Sequence, residues 1–209
     1  MMAQRWKALW QELGTEAPPG LFDELVAHYA EPHRAYHNLN HIEFCLDQFD
    51  LLCSLAIQPA IIETAIWFHD AIYDPQRADN EERSATWALS ALDGAGVDPA
   101  AGQRVAELIE ATKHNRPPGD EDTALLLDID LAILGQPPAV FEQYEQAVRQ
   151  EYSWVAEEMF RTRRAALLQE FLNRERIYFT ERFYMQYEQQ ARQNLARSIA
   201  RLVPDQRTV

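Results

Sequence analysis

Hydrophobic residues recur along this chain with the spacing of helices almost throughout. Trp6, Leu9, Trp10 and Leu13 fall at i, i+3, i+4 and i+7, which predicts a helix over residues 2–13. Pro18-Pro19-Gly20 ends it. Leu21, Phe22, Leu25, Val26 and Tyr29 mark a second helix over 21–30, closed near Pro32. Asn38 is a cap for a third, running to about Leu55 with Ile42, Leu46, Phe49 and Leu52-Cys53 inward. Pro59 suits the first turn of a fourth, which ends at His69-Asp70. Asp79 and Glu82 have capping-box spacing and open a fifth, to about Leu92.

Pro99 opens a sixth helix, to about His114, broken by Asn115-Arg116-Pro117-Pro118-Gly119. A seventh starts near Asp122 and carries Leu125-Leu126-Leu127 and Leu131. Beyond Gly135-Gln136-Pro137-Pro138 the pattern is helical from Ala139 to about Asn173, with an interruption near Ser153. Thr180 caps a last helix, to about Leu202. No segment alternates with period two. These readings predict an all-α fold, with residues 1–209 as one compact helical domain, the C-terminal helices over about 139–202.

Composition narrows the function classes. Of 209 residues, 47% are hydrophobic, enough for a substantial core, and seven glycines with few β-branched runs argue against an all-β fold. The 33 acidic residues outnumber 19 basic ones, giving a formal charge of −14. Such a chain is repelled by nucleic-acid polymers and anionic membranes, although a small anionic substrate remains compatible with it. No stretch approaches the ~20 apolar residues of a membrane span. Cys45 and Cys53, eight residues apart in one expected helix, would sit about 12 Å apart, beyond disulfide reach. Both read as small apolar fillers in a reducing compartment, so the expected location is the cytoplasm.

His69-Asp70 does not fit simple packing. It follows the apolar run Ala65-Ile66-Trp67-Phe68, where an ionised carboxylate costs several kcal/mol unless paired. A divalent metal pairs with imidazole and carboxylate together. Two other segments offer partners: Arg34-Ala35-Tyr36-His37-Asn38-Leu39-Asn40-His41-Ile42, and the acids Asp128 and Asp130 inside Leu125-Leu126-Leu127-Asp128-Ile129-Asp130-Leu131.

The order His41, His69-Asp70, Asp130 resembles the H…HD…D pattern of the HD-domain metal-dependent phosphohydrolases. The surrounding words, Arg34 to Ile42, Trp67 to Asp74 and Asp79 to Ala85, are similar to an uncharacterised bacterial subfamily of predicted HD phosphohydrolases, and the likeness extends to Phe171–Thr180. The resemblance implies an HD-type helical bundle with its metal-site core at about 34–135. It implies His41, His69, Asp70 and Asp130 as metal ligands, with His41 preferred to His37 and Asp130 to Asp128.

The implied activity is hydrolysis of a phosphomonoester or phosphoanhydride of a small substrate, a nucleotide by preference. The nucleophile would be a water activated by the metal. Mn, Fe, Co, Ni, Zn and Mg all suit such ligands. Asp70, Glu81 and His114 are the candidate catalytic residues, Glu81 for proton transfer. Arg34, His37 and Lys113 are the candidates for phosphate contact. Tyr73 stands before Asp74 where the guanosine tetraphosphate hydrolases carry Glu, which argues against that substrate. Lys113-His114 departs from the His-His-Glu pattern of the two-metal cyclic-dinucleotide phosphodiesterases.

His28 and His33 read as surface or packing histidines, Trp67-Phe68 as core, and Arg161-Arg163-Arg164 with Glu157, Glu158 and Glu170 as a solvated face. The pair His69-Asp70 could be only a hydrogen-bonded couple, or the chain a nucleotide-sensing module without turnover. The long amphipathic C-terminal helices could support a homodimer.

Overall fold

Pro59–Phe68 is the most apolar helix of the chain, and it is the one that its neighbours surround. In the computed structural model, which describes residues 2–203, Ile62, Ala65, Ile66, Trp67 and Phe68 all have zero exposure. An element apolar on every side must be covered on every side. The covering helices are α1 (Met2–Glu12), α3 (Leu39–Leu52), α5 (Asn80–Gly94), α6 (Pro99–Ala111) and α7 (Glu121–Asp130), with Pro59–Phe68 as α4 and Leu21–Tyr29 as α2. Trp6 meets Trp67 edge-on at 5.2 Å and lies 5.6 Å from Trp10, building an aromatic cluster on one flank of α4.

These seven helices form one compact unit, which ends at Asp130; a second begins at Leu131. The second holds a 3₁₀ segment, Leu131–Gly135, then α8 (Pro138–Glu151), α9 (Glu157–Asn173) and α10 (Glu181–Leu202). Within it α10 packs on α9 and on the 3₁₀ segment. A Cβ at Gly135 would overlap the Tyr187 side chain, so this approach requires glycine. Asn194 donates to the carbonyls of Leu134 and Gln136, both at 2.8 Å. Glu188 accepts from the main-chain N–H of Ile177 at 3.0 Å and from Arg192 at 2.7 Å.

The fold is all-α, with no strand among the described residues. No single helix among them is long and apolar enough to cross a membrane. Several local expectations change. Asp79 makes no capping bond. Arg77 grips both its oxygens at 2.6 Å, and Glu82 pairs with Lys113, so two stronger ionic partners displace the capping box. The third helix stops at Leu52 and the sixth at Ala111, each tightening or turning before its expected end. The interruption expected near Ser153 is present: the long C-terminal pattern breaks over 152–156, where Arg149 donates to the carbonyls of Tyr152 and Val155. Arg164 is buried rather than solvated, paired with Glu145 and 2.8 Å from the Tyr144 hydroxyl. Cys45 is buried as a filler should be, whereas Cys53 is exposed.

Candidate metal centre

Three helix ends converge inside the first unit. Asn38 caps α3, its Oδ1 accepting from Asn40 N–H at 2.9 Å, and so places His41 in the first turn. His69 is the residue at which α4 ends, with Asp70 directly after it. Asp130 is the last residue of α7. Helix ends suit such a meeting, because side chains there can turn toward a common point while their helices remain packed.

The ring of His69 is held by its own helix. Its Nδ1 lies 2.9 Å from the Ile66 carbonyl, which can only accept, so Nδ1 carries a proton and Nε2 faces the cluster. His41 Nε2 lies 3.1 Å from His69 Nε2. Asp70 Oδ2 is 3.1 Å from His69 Nε2 and 3.5 Å from His41 Nε2. Asp130 Oδ1 is 3.2 Å from His41 Nε2 and 3.6 Å from His69 Nε2. Both imidazoles are buried, at 4% and 3% exposure, while the Asp70 and Asp130 side chains are partly exposed.

Donors about 2.0–2.2 Å from one ion stand ~2.9–3.6 Å apart in octahedral or tetrahedral geometry. The five separations above, 3.1 to 3.6 Å, fall in that interval. His41, His69 and Asp130 could hold a metal ion, each presenting a ligand atom within 4.8 Å of the others. Asp70 Oδ2 stands against both imidazoles but is not one of that group. Asp128 is fully buried on the same helix as Asp130 and is not a member of the cluster.

The remaining predicted residues divide by position. His114 Nε2 donates to Asp130 Oδ2 at 2.7 Å, leaving Oδ1 for the cluster. Its backbone has φ 54°, the one non-glycine residue at positive φ among the described residues, and this turn out of α6 aims the ring at Asp130. His37 stacks on Tyr73 with ring centres 4.2 Å apart, and its charge acts on Asp70. Glu81 stands near enough to Asp70 to feel its charge. Lys113 pairs with Glu82 at the surface. Arg34 departs from its expected role. Its side chain has 0% exposure and is directed at main-chain carbonyls, so it does not face a substrate.

Some supporting residues were not anticipated. Ser84 Oγ accepts from Ile72 N–H at 3.0 Å, and Asn80 bridges the N–H and carbonyl of Asp74 at 3.1 and 3.0 Å. Cys45 Sγ lies 3.7 Å from His41 Nδ1. The i+4 spacing of Cys45 from His41 was visible in sequence; the contacts of Ser84 and Asn80 carry no motif.

The electrostatics follow from crowding. Burial pulls the His69 imidazole down, but the Asp70 and Asp130 carboxylates outweigh it and raise its pKa well above the ordinary value. Burial pushes Asp70 up, yet His69, His37 and His41 draw it far below the carboxylate range. Asp130 is lowered too, because hydrogen bonds from His114, His41 and His69 overcome its burial. Burial, with the charge of Asp70, raises Glu81. Burial and both carboxylates keep the Cys45 thiol protonated.

These shifts fix a pH dependence. The raised His69 stabilises the metal-free fold fully below its unfolded value of ~6.5, and that contribution is lost as pH rises through the folded value. The lowered Asp70 and Asp130 stabilise above ~3.9 and lose their contribution as pH falls toward their folded values. Metal-free protein should therefore gain most from the cluster between about pH 4 and 6.5. A metal must displace the His69 proton, so the rise in Tm on adding Mn or Zn should grow from pH 5.5 to pH 8. Thermal melts with EDTA and with metal across that range measure it. A metal-induced shift independent of pH would contradict the protonated His69.

No protein-family model matches this chain, and neither a curated protein nor a solved structure matches it.

Proposed function

We propose that the chain is a metal-dependent phosphohydrolase of the HD-domain type, acting on a phosphomonoester or phosphoanhydride of a small molecule, a nucleotide by preference. The observation that carries this reading is the group of His41, His69 and Asp130, which could hold a metal ion, with Asp70 Oδ2 against both imidazoles. Its order in sequence supports the family assignment. A divalent ion held there supplies Lewis-acid chemistry, lowering the pKa of a water and neutralising phosphoryl oxygens.

The chain's own residues would do the rest. His114 holds Asp130 in orientation through its second oxygen. Glu81, with its carboxyl raised, is suited to keep a proton that a leaving group needs. His37, beside Asp70 on the Tyr73 ring, supplies a donor for a phosphate oxygen. Lys113 can add a second cation if a phosphate displaces Glu82. The formal charge of −14 favours a small substrate over a polynucleotide.

The test is metal analysis of the purified protein followed by a screen of nucleoside mono-, di- and triphosphates for phosphate release with Mn, Co, Ni, Zn or Mg. Release that EDTA abolishes and added metal restores is the expected result. Bound metal and nucleotide-induced stabilisation with no product would instead identify a sensing module. A metal-free protein whose Tm ignores EDTA and Mn would leave only a hydrogen-bonded pair.

A further inference from the structure

Arg34 is the most completely enclosed cation of the first unit, and it spends its donors on main chain. Nη1 donates to the carbonyls of Asp70 at 2.6 Å and His37 at 3.0 Å; Nη2 donates to Ala71 at 2.9 Å. Nε donates to Glu31 Oε2 at 2.9 Å, which supplies the countercharge. The guanidinium lies 5.2 Å from the Tyr29 ring centre and 5.5 Å from that of Tyr73. Tyr29 in turn donates through its hydroxyl to the Trp67 carbonyl at 2.9 Å.

The carbonyls of Asp70 and Ala71 lie just beyond the end of α4, where no following turn of helix supplies donors. His37 precedes the cap of α3, four residues before His41. One planar group therefore ties the segment leading to His41 to the segment that carries His69 and Asp70. Ser84 and Asn80 fasten Ile72 and Asp74 of the same segment, so residues 70–74 are held at several points.

We propose that Arg34 is a positioning residue for the metal cluster: it fixes the Asp70 main chain relative to the His41 segment, and metal affinity depends on it through Asp70. This rests on the reading of the cluster as a metal site. Only a planar fork reaches three carbonyls at once, so lysine at this position keeps the charge but loses the geometry.

The experiment titrates Co(II) into wild type, Arg34→Met, Arg34→Lys, Asp70→Ala and the double variants, following the visible cobalt bands. Arg34→Met and Arg34→Lys are expected to weaken Co(II) by about 10–100-fold, the usual cost of losing a ligand's support, and to alter the bands. In the Asp70→Ala background the same substitutions should cost little further, since the path runs through Asp70. Unchanged affinity and bands in a destabilised Arg34 variant, full rescue by lysine, or full additivity with Asp70→Ala would overturn the proposal. If Arg34→Met fails to fold, Arg34→Lys, which keeps the buried charge but loses the planar fork, carries the same test. Wild type that binds no Co(II) would defeat the metal reading itself, a result distinct from any of these.

Discussion

If the chain is the metal-dependent phosphohydrolase proposed above, His69→Ala is expected to abolish both divalent-metal binding and metal-dependent phosphate release. The substitution removes one of two imidazoles from a cluster in which every donor stands within 3.6 Å of His69 Nε2. Loss of a residue that only supports a ligand weakens metal sites by ~10–100-fold, and loss of the ligand itself should exceed that. The metal-free fold should suffer as well. The two lowered carboxylates, Asp70 and Asp130, owe part of their stability to the His69 charge, and near neutral pH they would face each other with that cation gone. His28→Ala is the control. His28 rests against the Trp87 ring at 4.8 Å, outside the cluster, and should leave metal content unchanged. Metal analysis of both variants decides the matter: equal metal in His69→Ala and wild type would remove the site.

Trp67→Ala should produce the largest loss of stability. The indole is fully buried in the helix that five others surround, and it touches Trp6 and Phe22 rings at 5.2 and 6.1 Å. Truncating a buried tryptophan costs ~3–5 kcal/mol, from lost transfer energy and the cavity left behind. For a chain of this size that lowers Tm by about 10 °C. Trp67→Phe should cost clearly less. The indole Nε1 has no hydrogen-bond partner among the described residues, so phenylalanine gives up packing area but also removes a buried unsatisfied donor. Equal losses for the two variants would mean that Nε1 makes a bond that matters. Because α4 ends in His69, metal affinity in Trp67→Ala is expected to fall together with stability.

Much of this was legible in the chain itself. Prolines in first turns opened the helices at Pro59 and Pro99, and Asn38 and Thr180 cap as their sequence positions imply. These are local devices, decided within one turn of backbone, and local sequence suffices to read them. Asp79 failed as a cap for the opposite reason. Its competitor Arg77 is close in sequence, but the capture of Glu82 by Lys113 depends on α5 and α6 packing together, which no spacing rule expresses.

The candidate site divides along the same line. His69-Asp70 stood out in sequence because a charged pair ending an apolar helix needs compensation, and the resemblance to the H…HD…D pattern suggested His41 and Asp130 as partners. Arg34 was misjudged because a cation beside a histidine motif looks the same on paper whether it meets a phosphate or three carbonyls. Only burial separates the two, and burial is a property of the whole packed unit. His114 likewise needed the positive φ that carries its ring to Asp130.

The sequence by itself determined the helical class and most of the helix starts, since periodicity and capping act over a few residues, and it offered the groups that could bind a cation. Tertiary structure alone decided that donors from α3, α4 and α7 meet within 3.6 Å, which oxygen of Asp130 faces inward, and which arginine is structural. Those outcomes depend on contacts between residues up to eighty-nine positions apart, His41 to Asp130, and only the packing of apolar helix faces brings such residues together.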